Sequence, residues 1–537
     1  MGLTGVTTPV SMTPPRDAAT RRWAALSVLC VSLLVVTLDN TVLNVVLPTL
    51  VRQMKATDTE LQWIVDAYVL VFAGLLLVAG SLADRIGRKR TFLAGMVAFA
   101  AGSIWAAFSG SVEVLIAARA SMGIGAALIM PSTLSIITNT FTDRRERQRA
   151  LGVWSATSGL GIALGPIVGG ALLEHFWWGS VFLVNVPIVA LGIAFAIPLV
   201  QNSKNPAAKR PDLLGSLLSI AGLGLVLWSI IEAPVHGWTS AVVLASGAGG
   251  VAVLVGFAAW EASSTHPMLN LDFFRNRAFS AAVGSVGLIM FGMAGALFVL
   301  TQFLQFDRGY DPLAAGVRVL PAAGAIAIVA PLSTVVLRLV GTKITITLGL
   351  LTVCAGLWQV STATVGTTYV DLLPGMILIG IGSGLVIPSA TGSVMGSLPE
   401  EHTGVGSATN GTFLQVGGAL GVAVVGSLLS TRYDDRLSSA LAPYPVPSGV
   451  RDTILGSLGG ALAVAQRVGG ATGQALAHEA RTAFISGMDL GLATGAVVAG
   501  CGALLALIAL PGRPRRSERS HAPDAQEEQD PQRPAGR

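Results

Sequence analysis

The chain has 537 residues, of which 52 % are hydrophobic and 12 % charged, with a formal net charge of +5 and a mean hydropathy of +0.68. Soluble domains carry about 25 % charged residues, so 34 Lys+Arg and 29 Asp+Glu are too few to solvate a globule of this length. A soluble enzyme, a nucleic-acid binder and a disordered chain are all poor readings, and an all-α polytopic membrane protein is the good one.

An apolar run of about 20 residues crosses the hydrocarbon core as a helix. Fourteen such runs are predicted, at 24–48, 60–82, 91–109, 112–138, 150–173, 179–200, 213–232, 240–260, 279–301, 312–337, 343–363, 370–397, 404–430 and 485–510. Residues 1–23 form an N-terminal tail. The first run is too long for a signal-peptide core and no small-residue cleavage site follows it, so it is expected to be retained. The fourth, tenth and twelfth runs are interrupted by Pro131, Pro321 and Pro388, which neighbouring helices tolerate in a membrane. Cys30, Cys354 and Cys501 lie inside apolar runs and read as packing residues, since disulfide and metal sites need paired spacing.

Basic residues set the orientation. With the N-terminus cytoplasmic, the short inner loops hold Arg85, Arg88, Lys89, Arg90, Arg144, Arg145, Arg147, Arg149, Lys204, Lys209, Arg210, Arg275, Arg277, Arg338 and Lys343. Those fifteen face only Arg52, Lys55 and Arg308 in the short outer loops. Both termini are therefore expected in the cytoplasm, and the positive charge is topology, with no nucleic-acid partner implied. One outer loop is long, about 431–484, rich in Ala, Gly and Ser and partly helical. The tail at 511–537 is rich in Pro, Arg, Glu and Gln and is expected to be disordered and cytoplasmic.

Two passages recur. Gly123 to Ser132 resembles Gly380 to Ser389, and Gly152 to Gly159 resembles Gly404 to Gly411, at offsets of 257 and 252 residues. The pattern predicts two six-helix halves, 24–200 and 279–510, separated by an insert at 201–278 that carries two further helices. Parallel repeats with a site between them are a transporter architecture.

An ionisable residue in the hydrocarbon costs about 2.5–3.5 kcal/mol on insertion scales, so each needs a reason. Asp39 lies nine residues before Pro48, Asp66 about six residues into the second run and Arg119 about seven into the fourth. At about 1.5 Å per residue all three share one depth in the outer half of the bilayer. An Asp–Arg pair there would lower the mutual cost, and a second acid could hold a proton or attract a cation. At the repeat offset Asp39 falls near Met293, Asp66 near Leu320 and Arg119 near Met376, so the second half keeps the scaffold without the charges. Arg318, Glu232 and Asp489 lie nearer the helix ends, where long side chains reach water.

Two further constellations stand out. Gly80-Ser-Leu-Ala-Asp84-Arg85-Ile-Gly87-Arg88-Lys89-Arg90 joins the second and third runs. Its glycines permit a tight turn, Asp84 can cap or pair, and its arginines anchor to an anionic leaflet. In the fifth run Gly161, Gly165, Pro166, Gly169 and Gly170 make a smooth face for close packing and a site for a kink.

Together these motifs resemble the major facilitator superfamily, and within it the fourteen-helix drug:proton antiporter branch of quaternary-ammonium and multidrug efflux pumps. Leu38 to Pro48, which includes Asp39 and Asn44, is similar to the helix-one motif, Gly80 to Arg90 to the loop signature, Arg119 with Gly123 and Gly125 to the helix-four motif, and Gly161 to Gly170 to the antiporter motif. The resemblance implies that Asp39, Arg119 and Asp66 couple protons and that Asp84 joins a charge relay stabilising the outward-facing state. It implies substrate contacts from Trp63, Asp66, Tyr68, Asn44, Asn410 and Gln415. Asp66 favours cationic substrates, whereas Arg318, Asn410 and Gln415 stand where related pumps often carry acids, which argues against dications. The expected function is proton-coupled export of amphipathic, cationic drugs or antibiotics by a monomer in the cell membrane. No cofactor, metal or enzymatic activity is expected, since there is no nucleotide loop and the six His never recur at ligand spacing. The rivals are export of a neutral or anionic metabolite or lipid on the same fold, and a non-transporting sensor or scaffold.

Overall fold

The computed structural model describes residues 16–204, 211–264, 267, 269–398 and 403–510. Every regular element among them is helical. Among the described residues fourteen helices are long and apolar enough to cross a membrane. In chain order they are α1 (Thr20–Met54), α2 (Asp58–Ile86), α3 (Arg88–Ala107), α4 (Val112–Thr140), α5 (Arg145–His175), α6 (Ser180–Leu199), α7 (Leu213–Ile231), α8 (Ala241–Ser263), α9 (Arg277–Asp307), α10 (Pro312–Val340), α11 (Thr342–Ser361), α12 (Tyr369–Gly396), α13 (Gly406–Leu441) and α14 (Gly470–Ala509).

Several helices start at polar caps rather than at the edge of apolar sequence. Thr57 and Glu60 close a reciprocal capping box at the start of α2, Ser111 accepts from Val114 at α4, and Asp143 accepts from Arg145 and Glu146 at α5. Such caps satisfy the orphan N–H groups of the first turn. Helix therefore extends beyond several of the predicted runs. The first begins at Arg16, inside the stretch read as tail. The prolines expected to interrupt runs four, ten and twelve sit inside unbroken helices. The long loop is shorter than 431–484, because α13 continues to Leu441 and α14 starts at Gly470. Between them lie two short helices, Ser448–Gly456 and Leu458–Val468. The expected tail at 511–537 and the basic residues Lys209 and Arg210 lie outside the described residues.

Packing repeats eight helices apart. In the first bundle α1 lies on α5 and α6, α2 on α4, and α3 on α4 and α6; in the second α9 lies on α13 and α14, α10 on α12, and α11 on α12 and α14. The two bundles meet where α2 crosses α13 and where α5 crosses α10, which are one contact seen twice through a two-fold relation. The additional pair α7 and α8 packs together and leans through α7 on α2 and α13. Leu217, Val255, Ile328 and Leu339 are exposed, as expected of faces turned to lipid. The molecule thus has two ends, one carrying the Lys55 turn between α1 and α2 and the other the Gly87 turn between α2 and α3.

Candidate functional site

The largest fully buried side chain is Arg119, on α4, at 0 % exposure. Its Nη1 donates to Asp39 Oδ2 on α1 at 2.5 Å, and its Nε donates to the Ile64 carbonyl on α2 at 3.2 Å. The guanidinium lies over the Tyr68 ring, 4.3 Å from its centroid. Asn185 of α6 donates from Nδ2 to Asp39 Oδ1 at 3.0 Å, and less closely to Ser103 Oγ of α3 at 3.4 Å. Five helices thus converge on one ion pair, and charge cancellation with charge-assisted hydrogen bonds is what makes its burial tolerable. Gly123 allows the approach of α4 to α2, since a Cβ there would sit 2.6 Å from the Tyr68 carbonyl oxygen.

Asp66 does not join this pair. It is 0 % exposed, and neither carboxylate oxygen has a hydrogen-bond partner among the described residues. Helical spacing explains why. Ile64 and Tyr68 face α4, but Gln62, one turn before Asp66, accepts from Ser427 of α13 at 3.1 Å. One turn beyond, Val69 and Ala73 line a narrow gap with Val416 and Ala419 of α13 and Leu227 of α7. Asp66 sits between those levels on the face of α2 turned to the other bundle.

The other expected substrate contacts scatter. Tyr68 is buried beneath Arg119 and belongs to the ion pair rather than to a cavity. Trp63 donates from Nε1 to Glu232 at the end of α7, 3.0 Å away. Asn44 donates to the Asn40 carbonyl on its own helix at 3.4 Å. Asn410 donates to Thr391 at 3.3 Å, while its Oδ1 and the Gln415 Nε2 lack partners among the described residues.

At the Gly87 turn, Gly87 adopts φ +115°, a conformation that favours glycine. Arg88 pairs with Asp84 at 2.8 Å, donates to the Ser135 carbonyl on α4 at 3.3 Å and, through its backbone N–H, to Ser203 at 2.9 Å. Lys89 reaches the Ile197 carbonyl of α6, while Arg85 is exposed and Gly80 lies in ordinary contact with Pro131. These partners all lie in the first bundle or directly after it. In α5, a Cβ on Gly161 or Gly165 would overlap the Thr37 or Thr41 hydroxyl of α1, and Gly169 faces Val42 at 3.1 Å. Gly170 and Pro166 face the other way, against Leu313 and Gly316 of α10.

Asn185 and Ser103 were not singled out from the sequence. The available signal was an amide in the otherwise apolar run Ser180–Leu199, weaker than a charge because an uncharged polar group costs less to bury.

Residues 29–422 match the family model described as Major Facilitator Superfamily. The chain is 36 % identical over 482 residues to the multidrug efflux pump LfrA of Mycolicibacterium smegmatis, covering 89 % of this chain and 94 % of that protein. It is 32 % identical over 502 residues to the tetracenomycin C resistance and export protein of Streptomyces glaucescens, covering 93 % and 92 %. The methyl viologen resistance protein SmvA of Salmonella typhimurium is 32 % identical over 473 residues, covering 87 % and 93 %. Among solved structures, a bacterial homologue of the human lysosomal transporter Spinster aligns with a TM-score of 0.62 at 17 % identity, covering 91 % of this chain and 97 % of that one.

Proposed function

The chain belongs to the major facilitator superfamily, and from that membership we propose that it exports amphipathic, cationic drugs or antibiotics in exchange for protons. The carrying observation is the division of buried acids. Asp39 is held by Arg119 and Asn185, whereas Asp66 lies unpartnered on the inter-bundle face of α2. A buried carboxyl without a partner is costly when charged unless a proton or a cation joins it. Proton and cationic substrate would then compete for Asp66, and that competition couples the two fluxes. Asp39 takes the second proton-linked role, since protonation would break its bond to Arg119 and free α1 from α4.

The relatives named for efflux and resistance support outward transport and drugs or antibiotics as the cargo, while the cationic preference rests on Asp66. The arginine bias of the loops supports cytoplasmic termini in the cell membrane, which makes the Lys55 end the outer one. At that end the bundles are joined by Gln62 to Ser427, Gln305 to the Val45 carbonyl at 2.9 Å and Gly170 against Leu313. These contacts hold the bundles together at the outer end, as in a carrier closed to the outside. Inward proton movement supplies about 2.3 kcal/mol per charge for each 100 mV.

Inverted vesicles with an imposed proton gradient test the reading. Wild type is expected to accumulate ethidium, Asp39→Asn to lose gradient coupling, and Asp66→Asn to lose the preference for cations. Full gradient-driven transport in Asp39→Asn sinks the coupling role. Retained ethidium efflux in Asp66→Asn removes Asp66 from cation recognition.

A further inference from the structure

The segment between α13 and α14 helps to form a site that export of a cation does not use. Its second short helix, Leu458–Val468, packs on α14 and α1. With the end of α9 these elements surround a partly open cavity of about 590 Å³ at the Lys55 end. Arg52 of α1, Gln305 of α9, Gln466 of the short helix, and Gln474 and Arg481 of α14 line it, and no acid is among its described lining residues. Arg52 lies over the Phe306 ring, 5.3 Å from its centroid. Asp307 binds Arg308 at 2.6 Å and stands 3.8 Å from Arg481 Nε, and that Nε has no hydrogen-bond partner among the described residues. Arg308 and Arg481 thus share one carboxylate while Arg52 brings a further positive charge.

The start of α14 adds to this excess. Gly469 and Gly470 line the cavity, the cap makes no side-chain hydrogen bond and the first turn holds no acid. The positive end of that helix is therefore free to favour an anion. A cavity of this sign repels the cation that Asp66 attracts and suits a negative ligand instead. Gln305 narrows the class. It is 2 % exposed, its Nε2 donates to the Val45 carbonyl, and its Oε1 has no partner among the described residues. A buried acceptor left unmet is costly, so the anion that completes this wall also brings a hydroxyl donor. Sulfate at neutral pH has none. A phosphate monoester carries nearly two negative charges and three acceptor oxygens, which arginine forks match, and its alcohol portion can supply the hydroxyl. The volume falls within the range of about 300–1,000 Å³ usual for small-molecule sites, more than a bare ion needs.

We propose that this cavity binds a hydroxylated phosphate ester, with Arg52, Arg481 and the start of α14 taking the phosphoryl oxygens and Gln305 a hydroxyl. Arg52 belongs to the first bundle and Gln305 to the second, so an occupied site ties their outer ends together and slows the opening that export requires. That regulatory part rests on the transport reading above, whereas the binding does not.

Thermal stability of the purified chain at fixed ionic strength tests the binding, with glycerol 3-phosphate as the probe and sulfate as the control. The ester is expected to raise the midpoint saturably and sulfate is not. Arg52→Gln and Arg481→Gln should each weaken the apparent affinity about tenfold, and Gln305→Met should narrow the preference for the ester over sulfate. Arg52 is exposed, so its variant keeps the test open if the others fail to fold. An ester effect that Arg52→Gln leaves unchanged overturns the site. So does an ester that stabilises no more than sulfate, if adding phosphatidylglycerol to nanodiscs also brings no gain. An Arg52-dependent gain from phosphatidylglycerol, without one from the soluble ester, assigns the same site to a lipid headgroup. Regulation is read in inverted vesicles, whose lumen faces the outer end. Lumenal glycerol 3-phosphate should slow gradient-driven ethidium accumulation in wild type and leave the rate of Arg52→Gln as it is without ester. Saturable binding with no slowing overturns the regulatory part alone. Absence of gradient-driven transport in wild type overturns the transport reading, and the site then stands or falls on the thermal midpoints.

Discussion

The ion pair between Asp39 and Arg119 is where single-residue predictions are sharpest. Removing one partner of a buried pair strands the other, at a cost of about 3–5 kcal/mol. Arg119→Ala should therefore lower the thermal midpoint of the purified protein strongly, and Asp39→Asn/Arg119→Ala should recover much of it while remaining unable to couple transport to the gradient. A double variant as unstable as Arg119→Ala alone would show that the guanidinium acts through its packing on Tyr68 and Ile64 instead. Asn185→Leu removes one donor from Asp39 Oδ1 and should cost less, about 1–3 kcal/mol. These residues were unequally legible. Asp39 and Arg119 stood out because charge in hydrocarbon demands a reason, and their equal depth made pairing predictable. Asp66 stood out for the same reason, but depth says nothing about azimuth. The α2 backbone turns it away from the pair towards α13, which no reading of depth could supply.

At the scale of elements, the count of fourteen spans was readable because each apolar run is long enough to need a membrane. The boundaries were not, because hydropathy reports where lipid ends and capping reports where helix ends. Thr57 and Asp143 start their helices ahead of the apolar pattern, and α13 and α14 also project past it. The glycine face of α5 was readable as a packing surface, and its partner proved to be α1 rather than the second bundle alone. There Gly165 meets the Thr41 hydroxyl. Gly165→Ala should destabilise by about 1–3 kcal/mol through overpacking, and by clearly less in a Thr41→Ala background. A double-mutant cycle on thermal stability reads the coupling. Purely additive effects would mean that α1 and α5 adjust independently and that the contact does not set their spacing.

For the whole molecule, the repeat offset foretold which helices pack alike, since a duplicated sequence refolds into a duplicated bundle. It could not foretell the contacts inside the seams, because equivalent positions there carry different residues, such as Gln62 of α2, which meets Ser427, and Gly316 of α10, which meets Pro166. Nor did it foretell the work of the segment between α13 and α14. Its second short helix, Leu458–Val468, wedges Gly459 between the ends of α1 and α9, where a Cβ would stand 2.7 Å from both Val51 Cγ1 and a Phe306 ring carbon. Those ends are the corresponding points of the two bundles, so alternating access by rocking must part them from this helix. Val51 lies directly against Gly459, so cysteines at the two positions come within reach of a disulfide, whose Cβ atoms lie about 3.8 Å apart, once the Phe306 ring turns aside. In a background with the free Cys30, Cys354 and Cys501 replaced by serine, Val51→Cys with Gly459→Cys should form a bond under mild oxidant that halts gradient-driven efflux, and a reductant should restore it. Transport that continues with the bond fully formed would mean that Leu458–Val468 travels with the outer end of α1 through the cycle and parts from α9 alone.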